Sequence, residues 1–333
     1  MQDKPFFLDD WRRTPKDVQG TIAPKLCYKP APLHELAGND LIICAADRRF
    51  LERNLPRYLD SITDCSIATA IFLFSPESEI PTIDYLEELN QEARSKRVFI
   101  YCCTQPRLSR ILSSLTPQSR REYSINYIKS LRYFYALSAL SSFRERRNQT
   151  DRYVITADLD IAVKSDFGAS LRKSYPNSEI IATFNSMGKI TRADFPSTLS
   201  CTADLSSIKP HTHANRLGLD IPFHVIKGGL ALRHTLTGED LLRRIVLYMH
   251  GKKSDPVFTR LFTYYYGDQV AVYLALNDLI RHLKTHNIQV DKLIGWLDYS
   301  SSKIASLDPA IDADVCIFKG EGFRNVDKYE AES

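Results

Sequence analysis

The chain has 333 residues, 44% hydrophobic and 25% charged, with a formal net charge of +4 at pH 7. These values fit a soluble globular protein with one large α/β domain or two modest ones, and they exclude a disordered or low-complexity chain. The small positive charge argues against nucleic acid or a membrane surface as the main partner.

Residues 1–38 are rich in proline and charge, lack periodicity, and read as an irregular extension. The run Leu41–Ala46 is short and apolar, fit for a buried parallel strand. Arg49–Ile62 has helical spacing, with Pro56 kinking the helix or marking its start. Ala68–Phe74 reads as a second strand, Ile83–Ser95 as a helix and Val98–Cys103 as a third strand. This rhythm predicts a parallel sheet with helices on its faces. Residues 107–147 read as mostly helical. Within them Ile125, Ile128, Leu131, Tyr135 and Ala139 fall near one stripe, and Lys129 and Arg132 stand three apart on another face. Later strands are expected at Ile180–Phe184, His224–Leu232 and Val315–Phe318, and later helices at Glu239–His250 and Asp268–Leu283. No linker interrupts the pattern, so residues 39–325 are expected to form one α/β domain around a central mixed, mostly parallel sheet, followed by a tail over 326–333.

The most informative stretch is Tyr153–Val163, read as a buried strand that runs into two carboxylates, Asp158 and Asp160. Residues two apart on a strand point the same way, and two acids on one face repel unless a cation lies between them. Oxygen ligands of this kind suit Mg²⁺ or Mn²⁺, held together with the phosphates of a substrate. Near the end of the chain, Lys319, Gly320, Gly322 and Arg324 make a glycine-containing basic loop suited to closing over a phosphate.

In order and spacing these motifs resemble the GT-A fold glycosyltransferases that use a nucleotide-sugar donor. The likeness rests on Asp47 after the first strand, on Leu131-Arg132-Tyr133-Phe134-Tyr135 ahead of Asp158–Asp160, on Lys227-Gly228-Gly229, and on Gly267-Asp268-Gln269 opening a helix. The last pair is similar to that of glycogenin-like and lipopolysaccharide galactosyltransferase-like enzymes. The resemblance implies a nucleotide-sugar donor, UDP favoured, and a glycan, lipid-linked or protein acceptor. It implies Mn²⁺ or Mg²⁺ on Asp158 and Asp160, and the nucleotide base and ribose at Asp47. It places Asp268 on the sugar hydroxyls and Gln269 by the anomeric carbon, with Arg132, Lys319 and Arg324 as phosphate cations. One departure is clear. Aligned on Gly320, Ile317 stands where that family carries a metal-binding histidine, and Phe323 stands where it carries a lysine.

Simpler roles compete for several of these residues. Asp268 at a helix N-terminus suits capping, and Arg132 suits a solvated helix charge. His211, His213, His282 and His286 lack a third ligand at suitable spacing and read as surface histidines. Tyr264–Tyr266 suit either an acceptor-sugar platform or core packing. The Arg144–Arg147 run reads as a solvated helix end. A haloacid dehalogenase phosphatase would carry its Asp-x-Asp on the first strand. A sugar nucleotidyltransferase would show a glycine-rich loop where residues 45–53 have no glycine. A non-catalytic, sugar-binding relative with a decayed site is a third alternative. Seven cysteines without Cys-x-x-Cys spacing read as mostly reduced core thiols. With no signal-peptide core at the N-terminus, they make a cytoplasmic location the expectation.

Overall fold

The apolar runs of the sequence assemble as strands of one mixed sheet. A computed structural model describes residues 24–38, 40–62, 66–143, 151–184, 226–250, 267–298, 302–306 and 311–317. Its strands are β1 (Lys25–Tyr28), β2 (Leu41–Asp47), β3 (Ala68–Phe74), β4 (Val98–Thr104), β5 (Tyr153–Thr156), β6 (Ile161–Val163), β7 (Ile180–Phe184), β8 (Ile226–Arg233), β9 (Ile294–Asp298), β10 (Ala305–Ser306) and β11 (Val315–Ile317). The helices are α1 (Arg48–Ser61), α2 (Ile83–Arg94), α3 (Leu108–Ser113), α4 (Pro117–Phe143), α5 (Phe167–Ser174), α6 (Leu236–His250), α7 (Gly267–Thr285) and the short α8 (Val290–Leu293).

Among the described residues the main sheet has eight strands in the order β1-β4-β3-β2-β5-β8-β7-β9, and β10, β11 and β6 form a second, three-stranded sheet. The neighbours β2–β3, β3–β4, β2–β5 and β7–β9 pair in parallel, whereas β8 runs antiparallel to both β5 and β7. The expected α/β architecture with a mixed, mostly parallel sheet is what the chain adopts. Alternation along β2 explains its burial on both faces. Leu41, Ile43 and Ala45 enter one core layer, and Ile42, Cys44 and Ala46 the other. No described helix is long and apolar enough to cross a membrane.

Helix α4 lies in the first layer against β2 and β3. The ring of Phe72 stacks on Tyr135 at a centroid distance of 3.5 Å and an interplanar angle of 4°. The single stripe expected for this helix is too narrow. Tyr127, Tyr133 and Leu140 are buried as well, because α6 and α7 cover the side away from the sheet, while Ile125 stays 37% exposed.

Two sequence expectations change. Within the extension expected over 1–38, Lys25–Tyr28 is a strand, paired antiparallel to the outer edge of β4. The Tyr153–Val163 run is not one strand: β5 stops at Thr156, a bend follows, and β6 joins the second sheet. The last backbone–backbone hydrogen bond to the main sheet is Ala157 N–H donating to Ile43 O at 3.1 Å, and the Cys44 thiol of β2 then donates to Asp158 O at 3.8 Å.

Candidate functional site

The order of strands reverses beside β2: β3 and β4 continue on one side and β5 starts the other. Open α/β sheets bind ligands in the crevice at the carboxyl ends of such neighbouring strands. Asp47 ends β2, and Asp158 follows the end of β5 by two residues, so both stand at this crevice. Asp158 and Asp160 are partly buried in the bend, with Leu159 packed into the core between them. Their common setting is therefore the bend itself and not one face of a strand. In the register of β8, Leu230 pairs with Thr156, so Gly228 and Gly229 run on past the end of β5.

Arg132 decides the character of the site. Its side chain is 2% exposed. One guanidinium nitrogen donates to Asp158 Oδ1, and the other donates to Asp268 Oδ2 at 2.6 Å and to Tyr133 Oη at 2.9 Å. Burial alone would weaken its charge, but Asp158, Tyr133 and Asp268 outweigh that and hold it firmly protonated. Arg132 is thus not a solvated helix charge: it clamps two carboxylates together. Asp268 is fully buried at the start of α7, where its carboxylate serves Arg132. Lys129, one turn earlier on α4, places Nζ 4.0 Å from Asp268 Oδ1 with a quarter of its side chain exposed. Asp268 raises the Lys129 pKa against the opposing effect of burial, so the ammonium stays charged. Gln269 lies partly exposed beside this cluster.

Asp47 is exposed and caps α1, accepting from Phe50 N–H at 2.7 Å. It also lines a cleft of about 1050 Å³ at the carboxyl ends of β2, β3 and β4, together with Arg48, Phe74, Tyr85, Gln105 and Ile128. Ile128 is the residue before Lys129, so the cleft and the charge cluster adjoin along α4. Arg48 lies 4.9 Å from the Tyr85 ring centroid at the cleft wall, and its Nε donates to Glu52 at 2.7 Å.

Among the described residues no group of three or more His, Cys, Asp or Glu side chains could hold a metal ion. Zinc sites need three or four such ligands, whereas Mg²⁺ takes one or two carboxylates and completes its shell with water and substrate phosphate. Asp158 and Asp160 fit the second kind of ion. His282 on α7 and His286, in the turn just after it, have ring centroids 4.3 Å apart, and no third ligand joins them among the described residues. Lys319, Gly320, Arg324, Tyr264–Tyr266, His211, His213 and the Arg144–Arg147 run lie outside the described residues. One backbone register bears on the first three. Ile317, two residues before Lys319, pairs with Ile161, the residue after Asp160.

No family profile matches the chain, and no curated protein sequence is similar to it. Several solved structures similar to it are glycosyltransferases. The bifunctional glycosyltransferase WbbM is 12% identical over 87% of this chain and 47% of its own, with a TM-score of 0.44. The galactosyltransferase LgtC, solved with donor and acceptor sugar analogues, is 11% identical over 84% and 87% of the two chains, with a TM-score of 0.38. The glycosyltransferase GlyE of Streptococcus pneumoniae TIGR4 is 11% identical over 78% of this chain, with a TM-score of 0.37, and this chain spans 45% of its length.

Sequence reasoning named Arg132 and Asp268 without pairing them, and it gave Lys129 no role. The available signal was the three-residue spacing from Lys129 to Arg132, which puts both on one side of a helix.

Proposed function

We propose that this protein transfers a sugar from a nucleotide-diphosphate donor, UDP-sugar favoured, to a hydroxyl acceptor on a glycan, lipid-linked or protein substrate. The observation that carries this reading is the meeting of Arg132, Asp158 and Asp268 at the carboxyl end of β5, next to an open cleft that begins at Asp47. The cleft has room for a nucleoside, with Asp47 at the ribose and base. The donor diphosphate then lies toward the acid bend, and its sugar toward Asp268 and Gln269.

In glycosyl transfer the bond from C1 to the leaving phosphate oxygen breaks, and negative charge grows on the diphosphate. Asp158 and Asp160 would hold Mg²⁺ or Mn²⁺, which supplies Lewis-acid stabilisation of that charge when bound. Arg132 fixes the Asp158 carboxylate so that its oxygens do not reorganise during the reaction. Asp268 orients sugar hydroxyls, and Gln269 faces the anomeric carbon. Lys319 and Arg324 supply further positive charge over the diphosphate, with Gly320 letting the backbone approach. The pairing of Ile317 with Ile161 supports that placement, since it starts the basic segment beside the acids.

The test is hydrolysis of a panel of nucleotide sugars with and without Mn²⁺, by the wild type and by Asp160→Asn. Turnover that needs Mn²⁺ and is lost in the variant is expected. Equal turnover by both proteins at saturating Mn²⁺ would sink the metal assignment. A second reading, a sugar-nucleotide-binding relative without catalysis, draws on Ile317. That residue is a strand residue paired to Ile161, at the place where the resembling family has a histidine ligand. Tight UDP-sugar binding without hydrolysis or transfer under any metal would select it.

A further inference from the structure

Asp268 has two carboxylate oxygens in different situations. Oδ2 accepts from Arg132 at 2.6 Å. Oδ1 is equally buried yet accepts no hydrogen bond among the described residues. Buried carboxylate oxygens are ordinarily satisfied, and leaving one unsatisfied carries the full cost of its desolvation. Lys129 Nζ lies 4.0 Å from Oδ1, inside ion-pair range and beyond hydrogen-bond range. Resting on the glycosyl-transfer reading above, we propose that Lys129 and Asp268 together bind one hydroxyl of the transferred sugar, the ammonium donating to the hydroxyl oxygen and Asp268 Oδ1 accepting its hydrogen.

Three features support this assignment. An oxygen atom about 2.8 Å from each partner closes a triangle on the 4.0 Å separation, and 2.8 Å is an ordinary hydrogen-bond length. The ligand comes from the Lys129 side. Asp268 is 1% exposed and Lys129 25%, so the ammonium, on a flexible four-carbon stem, is the partner that can shift and admit a ligand. The chemistry also selects a hydroxyl over a phosphate. The Lys129–Asp268 pair is neutral, and an anion there would meet the oxygens of Asp268 with no hydrogen to share. A hydroxyl both donates and accepts, which is what an ammonium and a carboxylate side by side require. Ile128, the residue before Lys129 on α4, lines the cleft, so one helix carries both the cleft wall and the pair.

The experiment is calorimetric titration of wild type, Lys129→Met and Lys129→Gln with UDP, UDP-glucose, UDP-galactose, UDP-N-acetylglucosamine and UDP-xylose. Melting curves confirm that each variant folds. The wild type is expected to bind one sugar nucleotide more tightly than UDP. Both variants should lose about tenfold or more in affinity for that sugar nucleotide, the usual loss for one hydrogen bond to a charged group, with UDP affinity unchanged. A deoxy analogue of the preferred sugar that weakens wild-type binding should not weaken binding further in the variants. Equal losses for UDP and the sugar nucleotide would overturn the proposal by making Lys129 a phosphate ligand, and unchanged affinity for both would overturn it outright. If the wild type binds none of these compounds, the glycosyl-transfer reading itself falls.

Discussion

Arg132 and Asp268 lie 136 residues apart in sequence and meet in a 2.6 Å ion pair. Neither side chain is more than 2% exposed. The contact fixes α7 against α4, and through Asp158 it fixes the acid bend to both helices. A buried pair of this kind is costly to assemble and more costly to break, because removal of one partner strands the other without its counter-charge.

Arg132→Met is therefore expected to destabilise the protein by about 3–5 kcal/mol, and Asp268→Asn by a comparable amount. The double variant should lose clearly less than the sum, since it removes both charges together. Urea unfolding of the four proteins checks this. Additive losses would show that the two residues are not energetically coupled.

Asn90 serves α2 and β4 at once. Its amide donates to Ile100 O at 2.9 Å, and its carbonyl accepts from Ile100 N–H at 2.9 Å. Strand β1 covers β4 only from Cys102 to Thr104, so the side chain takes the place of a missing strand at Ile100. Asn90→Ala leaves two buried backbone groups unpaired and should cost about 2–4 kcal/mol. Hydrogen exchange should accelerate at the Ile100 amide before it does at Leu73 on the neighbouring strand.

Gly168, in the first turn of α5, packs directly on Asp40, and a Cβ there would overlap the Asp40 carboxylate. That carboxylate cannot step aside. It accepts from Tyr153 N–H at 2.8 Å and from Arg172 at 2.6 Å. Gly168→Ala should lower stability by about 1–3 kcal/mol, read as a drop in melting temperature. An unchanged melting temperature would mean that α5 docks more loosely than these contacts require.

Burial holds the His234 ring down at about 4, against an ordinary value of 6.5. The unfolded chain then binds the proton first as pH falls. The stabilising contribution is complete above about pH 6.5 and is lost progressively toward pH 4. For a ring with some solvent contact this amounts to about 1–2 kcal/mol. His234→Gln should flatten the stability profile between pH 4 and 6.5 relative to wild type. Parallel profiles would contradict the prediction.

Much of the fold is legible in the sequence because β2, β3 and β4 are uniform apolar runs, buried on both faces and separated by amphipathic helices. The short β1 escapes, since three of its four residues are exposed and carry no pattern. The break between β5 and β6 escapes for the opposite reason. Leu159 is buried within the bend, so the apolar alternation runs on unbroken where the backbone does not. At the site, Asp158, Asp160, Arg132 and Asp268 all stand out by motif. Their partnership does not, because no local periodicity records a contact between residues so far apart. Asp47 shows the limit of motif reading in another way. An acid just before a helix is a capping signal, and capping is what its carboxylate does in this structure.

The bend that carries the two acids is strung between separate anchorages. Upstream it hangs from Ile43 in the large sheet, and downstream Lys164 N–H, just past β6, donates to Asp314 O, just before β11, at 2.8 Å. A tug on β11 is therefore transmitted to Asp160 through the rungs that join Ile317 to Ile161 and Val315 to Val163. A graft into β10 or β11 is therefore expected to disturb the acid bend through these rungs and through the core that Ala305 and Val315 share with Ile42 and Cys44.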